Sequence, residues 1–146
     1  MTRRHVVGLT LALVVLVAGS AGARWWWTHD RVVEAGGVLV LVEGHDLGTS
    51  SWAGVGYGGE LGLIGDRCVG FVGPTDQRSS LIVWPAGTDV TGVGDDLEIT
   101  TGGVTLRLGD QVEGGMKSQT LQFPDLVEAL PDECVGIPLV PFDPHS

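Results

Sequence analysis

The residues best equipped for covalent chemistry in this chain of 146 residues are its two cysteines. Cys68 and Cys134 do not form a Cys-x-x-Cys arrangement, so the local signature of a redox or nucleophilic pair is missing. In an oxidising compartment two such residues pair. The bond closes a loop of about 65 residues, worth about 4 kcal/mol on the loop-entropy model, and ties the end of the chain to its middle.

Other candidates for chemistry are sparser. His5, His29, His45 and His145 are scattered, and only His45-Asp46 offers adjacent donors, short of the three or four a transition metal requires. Asp95, Asp96 and Glu98, with Asp110 and Glu113, offer oxygen ligands of the kind calcium takes, but hairpin turns account for the same residues without a metal. Gly54-Val55-Gly56-Tyr57-Gly58-Gly59 is glycine-rich like a phosphate loop, yet it lacks the Lys-Ser/Thr ending and the flanking strand and helix. No Gly-x-Ser-x-Gly occurs, and Ser50 and Ser51 have no evident His and Asp partners. No catalytic residue, metal ligand or cofactor is assigned on this basis. The aromatic residues Trp52, Tyr57 and Trp84 are candidate ligand contacts, able to line a groove that stacks a sugar or a peptide. For Trp84 the apolar neighbours Leu81, Ile82 and Val83 favour the core instead.

The compartment follows from the first 24 residues. Arg3 and Arg4 precede an almost wholly apolar run, and Ala21-Gly22-Ala23 resembles an Ala-x-Ala cleavage site. The uncharged stretch from Val6 to Ala23 is also about 18 residues long, near the lower limit for a membrane span. Arg24-Trp25-Trp26-Trp27 follows it, with side chains that settle at a lipid interface. Residues 1–24 are thus a signal anchor or a signal peptide, 25–36 a juxtamembrane linker, and 37–146 an exported β domain with a Pro-rich tail. Single-pass attachment to the cell membrane with an extracytoplasmic C-terminal domain is expected, or secretion if the segment is cleaved.

Charge narrows the partners. From Val32 onward four basic residues face 17 acidic ones, a net charge of −13. Such a field repels phosphate backbones, so nucleic acid is excluded as a partner. What remains is the membrane through the N-terminal segment, together with an envelope protein or glycan.

The 24 glycines disfavour a helical domain, since glycine weakens a helix interior by about 1 kcal/mol but suits turns. Val38–Val42 is a continuous apolar run, which implies a strand buried on both faces or central in a barrel. His45–Gly59 reads as a long loop. Leu61–Ile64 and Cys68–Val72 form a hairpin about Gly65-Asp66, Ser80–Trp84 is a strand ended by Pro85, and Gln111–Gly114 continues the chain beyond Gly109-Asp110. Around Thr101-Gly102-Gly103 the alternation is clean: Leu97, Ile99, Val104, Leu106 and Leu108 face inward, and Glu98, Thr105 and Arg107 outward. Five prolines in the 24 residues from Phe123 exclude a long helix, although Pro124–Leu130 allows one turn or two. The expected fold is all-β: a small OB-like barrel or a sandwich, after one N-terminal apolar helix.

Cys68, the Trp84-Pro85-Ala86-Gly87 turn, Leu108-Gly109-Asp110, Gly114-Gly115 and Glu133-Cys134-Val135-Gly136-Ile137-Pro138 occur in that order. In this the chain resembles a family of small exported bacterial β-domain proteins, over about Glu60 to Pro138. Ala86 stands where that family commonly has a second proline, and Met116 where it has a third glycine. The resemblance implies a compact extracytoplasmic β domain and brings no catalytic residue with it. The functional expectation is a non-catalytic, envelope-associated binding or interaction module; the alternative is a small cell-envelope hydrolase with a site built from loops.

Overall fold

The computed structural model describes residues 29–44, 52–73, 79–117 and 123–144. The expected N-terminal apolar helix lies outside them, as do His5, His45 and His145. Among the described residues no helix is long and apolar enough to cross a membrane.

Ten strands make up most of the described chain: β1 Arg31–Ala35, β2 Val38–Val42, β3 Trp52–Ile64, β4 Cys68–Val72, β5 Ser80–Trp84, β6 Asp89–Thr91, β7 Glu98–Thr101, β8 Val104–Arg107, β9 Gln111–Lys117 and β10 Leu139–Asp143. One short helix, α1 (Pro124–Glu128), precedes a 3-10 turn at Asp132–Cys134. Seven strands form one sheet in the order β1-β2-β4-β3-β9-β10-β5, in which β5 also pairs with β2 and β4; β6, β7 and β8 form a second sheet. The domain is mostly β, as expected.

Local chemistry explains the hairpins. Gly36 and Gly37 join β1 to β2 with φ of 59° and 86°, and Gly102 and Gly103 join β7 to β8 with φ of 53° and 89°. Positive φ at both central residues matches the right-handed twist of the strands, and glycine adopts it without steric cost. The β3–β4 turn repeats the device with Gly65 and Asp66.

The continuous apolar runs divide their side chains between two cores. Val38, Val40 and Val42 of β2, with Ile82 and Trp84 of β5, enter a large core that also holds Leu61, Val69, Phe71, Val112 and Phe142. Leu97, Ile99 and Leu106 pack into it from the second sheet. The alternate residues Leu39, Leu41, Leu81 and Val83 face a second core, formed with Phe123 and Leu126 of the return segment and with both cysteines. Both strands are therefore buried on both faces, which is why neither alternates polar with apolar.

Cys68 and Cys134 are disulfide-bonded, joining the first residue of β4 to the 3-10 turn across 66 positions. Both are fully buried. Pro124 opens α1 at a first-turn position, where its missing N–H is tolerated.

Two local expectations need correction, and one strand is not foreseen in the sequence. Arg31–Ala35, placed in the linker, is strand β1, paired in full register with β2. Trp52–Gly59, placed in a long loop, is the first part of β3 and pairs with β9. Gly54–Gly59 therefore lies on a strand and is no phosphate loop. Leu139–Asp143 is a strand despite Pro141, parallel to β5 and antiparallel to β9.

Candidate functional site

The β3–β9 ladder carries the site. Cross-strand partners are Gly56 with Gly115, Tyr57 with Gly114, Gly58 with Glu113, Gly59 with Val112 and Glu60 with Gln111. Alternation sends Tyr57, Gly59 and Leu61 to one face, and Leu61 and Val112 on that face are buried in the large core. Gly56, Gly58 and Glu60 lie on the other face with Gln111 and Glu113.

A groove of about 460 Å³ opens here, with Gly56, Gly58 and Gly59 exposing main chain and Gln111 and Glu113 supplying an amide and a carboxylate. Its size is within the range of small-molecule sites. Tyr57 also lines it. That side chain is half-buried: its ring meets Phe71 edge to face at 5.5 Å, and its hydroxyl lies 3.1 Å from Ser80 Oγ. Phe71 in turn meets Phe142 at 5.0 Å, so the Tyr57 ring itself is braced on the core side. The Gln111 amide lies 3.4 Å from Glu60 Oε2, which leaves Glu113 as the carboxylate on the groove.

Two glycines of the groove differ in a way that can be measured. A Cβ added at Gly58 would overlap the carbonyl oxygen of Val112, whereas one added at Gly56 would meet no described residue within 4 Å. Gly58→Ala is therefore expected to cost about 1–3 kcal/mol. Gly56→Ala is expected to be neutral, or to stabilise by about 0.4–1 kcal/mol through the unfolded chain. Urea unfolding of the two variants checks the contrast.

The residues singled out from sequence separate on this frame. Tyr57 is on the groove. Trp84 is not: it is fully buried and packs against Phe142 at 6.1 Å, which corrects its candidacy as a ligand contact. The side chain of Trp52 lies outside what the structure describes. A scan of protein-family models, a search of curated proteins and a search of solved structures each return no match. The site thus stands on its geometry.

The acidic residues of the second sheet do not converge. Glu98 pairs with Arg107, whose Nε donates to it at 3.0 Å, and Asp110 accepts the Arg107 main-chain N–H at 2.7 Å. Glu98 holds the Arg107 pKa above its ordinary value through that hydrogen bond and its charge. Asp95 and Asp96 lie in a 3-10 turn ahead of β7. No group of three or more His, Cys, Asp or Glu is arranged to hold a metal among the described residues.

Gln111 and Val112 do not stand out in the sequence, while Gly56, Gly58 and Gly59 draw notice only beside a phosphate loop and Glu113 only beside calcium ligands. The signal present was parity: Val55, Tyr57, Leu61 and Leu63 occupy odd positions while Gly54, Gly56, Gly58 and Gly62 occupy even ones. That is strand periodicity with glycine in the place of polar residues.

Proposed function

We propose that this chain is an exported, non-catalytic binding module of the cell envelope, tethered by its N-terminal segment or released after cleavage. Its β domain is an OB-type barrel, and its ligand, an envelope protein or glycan, enters the groove over β3 and β9. The path of strand pairing supports the barrel: β4 pairs with β3, β3 with β9, β9 with β10, β10 with β5, and β5 again with β4. Only β5–β10 in that circuit is parallel, as when the last strand of a five-stranded Greek key returns beside the third. The β1–β2 hairpin and the β6–β8 sheet are additions to it.

OB barrels that take oligonucleotides or oligosaccharides use the face of their second and third strands and the loops beside it. Here those strands are β4 and β5. Their outer side is packed under Leu39, Leu41, Phe123 and Leu126, and the disulfide fixes the adjoining turn to the return segment. With that face filled and the domain strongly acidic, nucleic acid is disfavoured on two independent grounds. The observation that carries the reading is the groove itself, open on the opposite flank of the barrel with glycine main chain, Tyr57, an amide and a carboxylate along it.

The hydrolase alternative draws little support. Ser80, whose hydroxyl meets Tyr57, is only 3 % exposed and faces the core, which shields it from a substrate. Retention of the protein on cell-envelope material tests the binding reading. Tyr57→Ala is expected to reduce retention at least tenfold, while Tyr57→Phe, losing only the bond to Ser80, keeps retention and costs about 1 kcal/mol of stability. Equal retention of Tyr57→Ala and the parent removes the groove from consideration.

A further inference from the structure

The free edges of the two sheets are not treated alike. An unpaired strand edge invites another chain, and proteins normally blunt it. On β8 the Arg107 N–H is taken by Asp110 Oδ2, so the outer edge is interrupted. On β3 no described residue does so. β4 pairs with Glu60–Ile64 and stops at Val72. From Trp52 to Gly59 no described strand pairs with β3 on the side away from β9.

The direction of the open groups can be read from Leu61. Its N–H donates to Asp110 O at 2.9 Å, and its carbonyl accepts from Gly109 N–H at 2.8 Å, so the odd-numbered residues bond toward β9. Alternation then turns the N–H and C=O of Gly56 and Gly58 the other way. These two residues also line the groove, and neither has a side chain to guard the edge.

The geometry points to β-strand addition: an extended peptide with neutral or basic side chains pairs with Gly56 and Gly58 and lies along the groove. In that mode main-chain bonds supply affinity and alternate side chains supply specificity. Glu113, opposite Gly58, and Glu60 set the charge preference, and no lysine or arginine lines the groove among the described residues. With 17 acidic residues against four basic ones from Val32 onward, an acidic peptide is repelled. This inference rests on the binding reading and narrows its ligand to a polypeptide.

Amide hydrogen exchange of the full chain in detergent micelles tests it, with three decapeptide probes: alternating Thr-Lys, alternating Thr-Glu, and Thr-Lys with alternate main-chain nitrogens methylated. In the free protein the Gly56 and Gly58 amides are expected to exchange near unfolded-chain rates. The Thr-Lys peptide is expected to slow them at least tenfold, with the Tyr57 and Gly59 amides unchanged and the other two peptides without effect. Gly56→Pro, which deletes one edge donor, is expected to weaken Thr-Lys binding at least tenfold, with Tyr57 and Gly59 protection showing that the β9 ladder is intact. Strong protection of Gly56 and Gly58 without peptide, or equal protection by the methylated or Thr-Glu probe, overturns strand addition. If an N-acetylglucosamine hexamer perturbs the groove and no peptide does, strand addition falls and the binding reading stands. If neither does and envelope retention is absent, both fall.

Discussion

Replacing Cys68 and Cys134 together by alanine is expected to lower the stability of the domain by about 4 kcal/mol. The bond spans 66 positions, and the loop-entropy model gives a cross-link of that size about this effect. For a domain of about 100 residues the melting temperature would fall by about 15–30 °C. The loss should not be uniform. The return segment from Phe123 to Ile137 holds only one short helix, and its attachment otherwise depends on Phe123, Leu126, Leu130 and Ile137 in the second core. Burying side chains of that size is worth about 1.5–3 kcal/mol each, against the backbone entropy of ordering the segment. Hydrogen exchange should therefore show α1 and the 3-10 turn opening first in the double variant, while β3, β4 and β9 stay protected. Because both sulfurs are buried, reductant should act on the parent only at the rate at which this segment opens. A double variant within 1 kcal/mol of the parent would mean that apolar packing alone holds the return segment.

That segment also shows what a single sequence carries and what it does not. Val38–Val42 announced a strand buried on both faces because no polar residue interrupts it, and the structure assigns its alternate side chains to two cores. Gly65-Asp66 and Gly102-Gly103 announced hairpins, because their local backbone geometry is written in the residue type, whereas Gly36-Gly37 has the same geometry but in sequence marks only the boundary of β2. The pairing of two lone cysteines needed only the compartment. By contrast β10 was hidden by Pro141, and its parallel pairing with β5 joins residues nearly 60 positions apart, which local periodicity does not encode. The same holds for the long first half of β3. Its glycines carry no side chain to mark a face, so a strand resembled a loop until β9 was beside it.

The groove was less legible still, since it is made by side chains that are missing. Tyr57 could be picked out as an aromatic residue among glycines, but nothing local indicated that Gln111 and Glu113 would lie across from Glu60 and Gly58. A site defined by the edge of one strand and the face of another appears only once register is known. The acidic residues of β7 and of the turn after β8 show the converse. They looked like a cluster in sequence, and the fold spends Glu98 on Arg107 and Asp110 on a main-chain N–H.

Trp84 separates core from ligand site most sharply. Trp84→Ala is expected to cost about 3–5 kcal/mol, the range for removing a large aromatic from a packed interior. The ring is wholly buried where β2, β5 and β10 meet, perpendicular to Phe142, and that ring braces Phe71 and through it Tyr57. Trp84→Phe should cost far less, about 1–2 kcal/mol. It keeps an aromatic ring against Phe142, and the indole N–H it removes has no acceptor among the described residues, so no partner is left unpaired. Guanidinium unfolding of both variants measures the difference. Envelope retention of Trp84→Phe then decides the role. A core residue leaves retention at the parent level, because the groove keeps Tyr57 in place. If retention instead drops with stability nearly intact, the indole contributes to binding directly, and the site extends from the β3–β9 groove toward the end of β5.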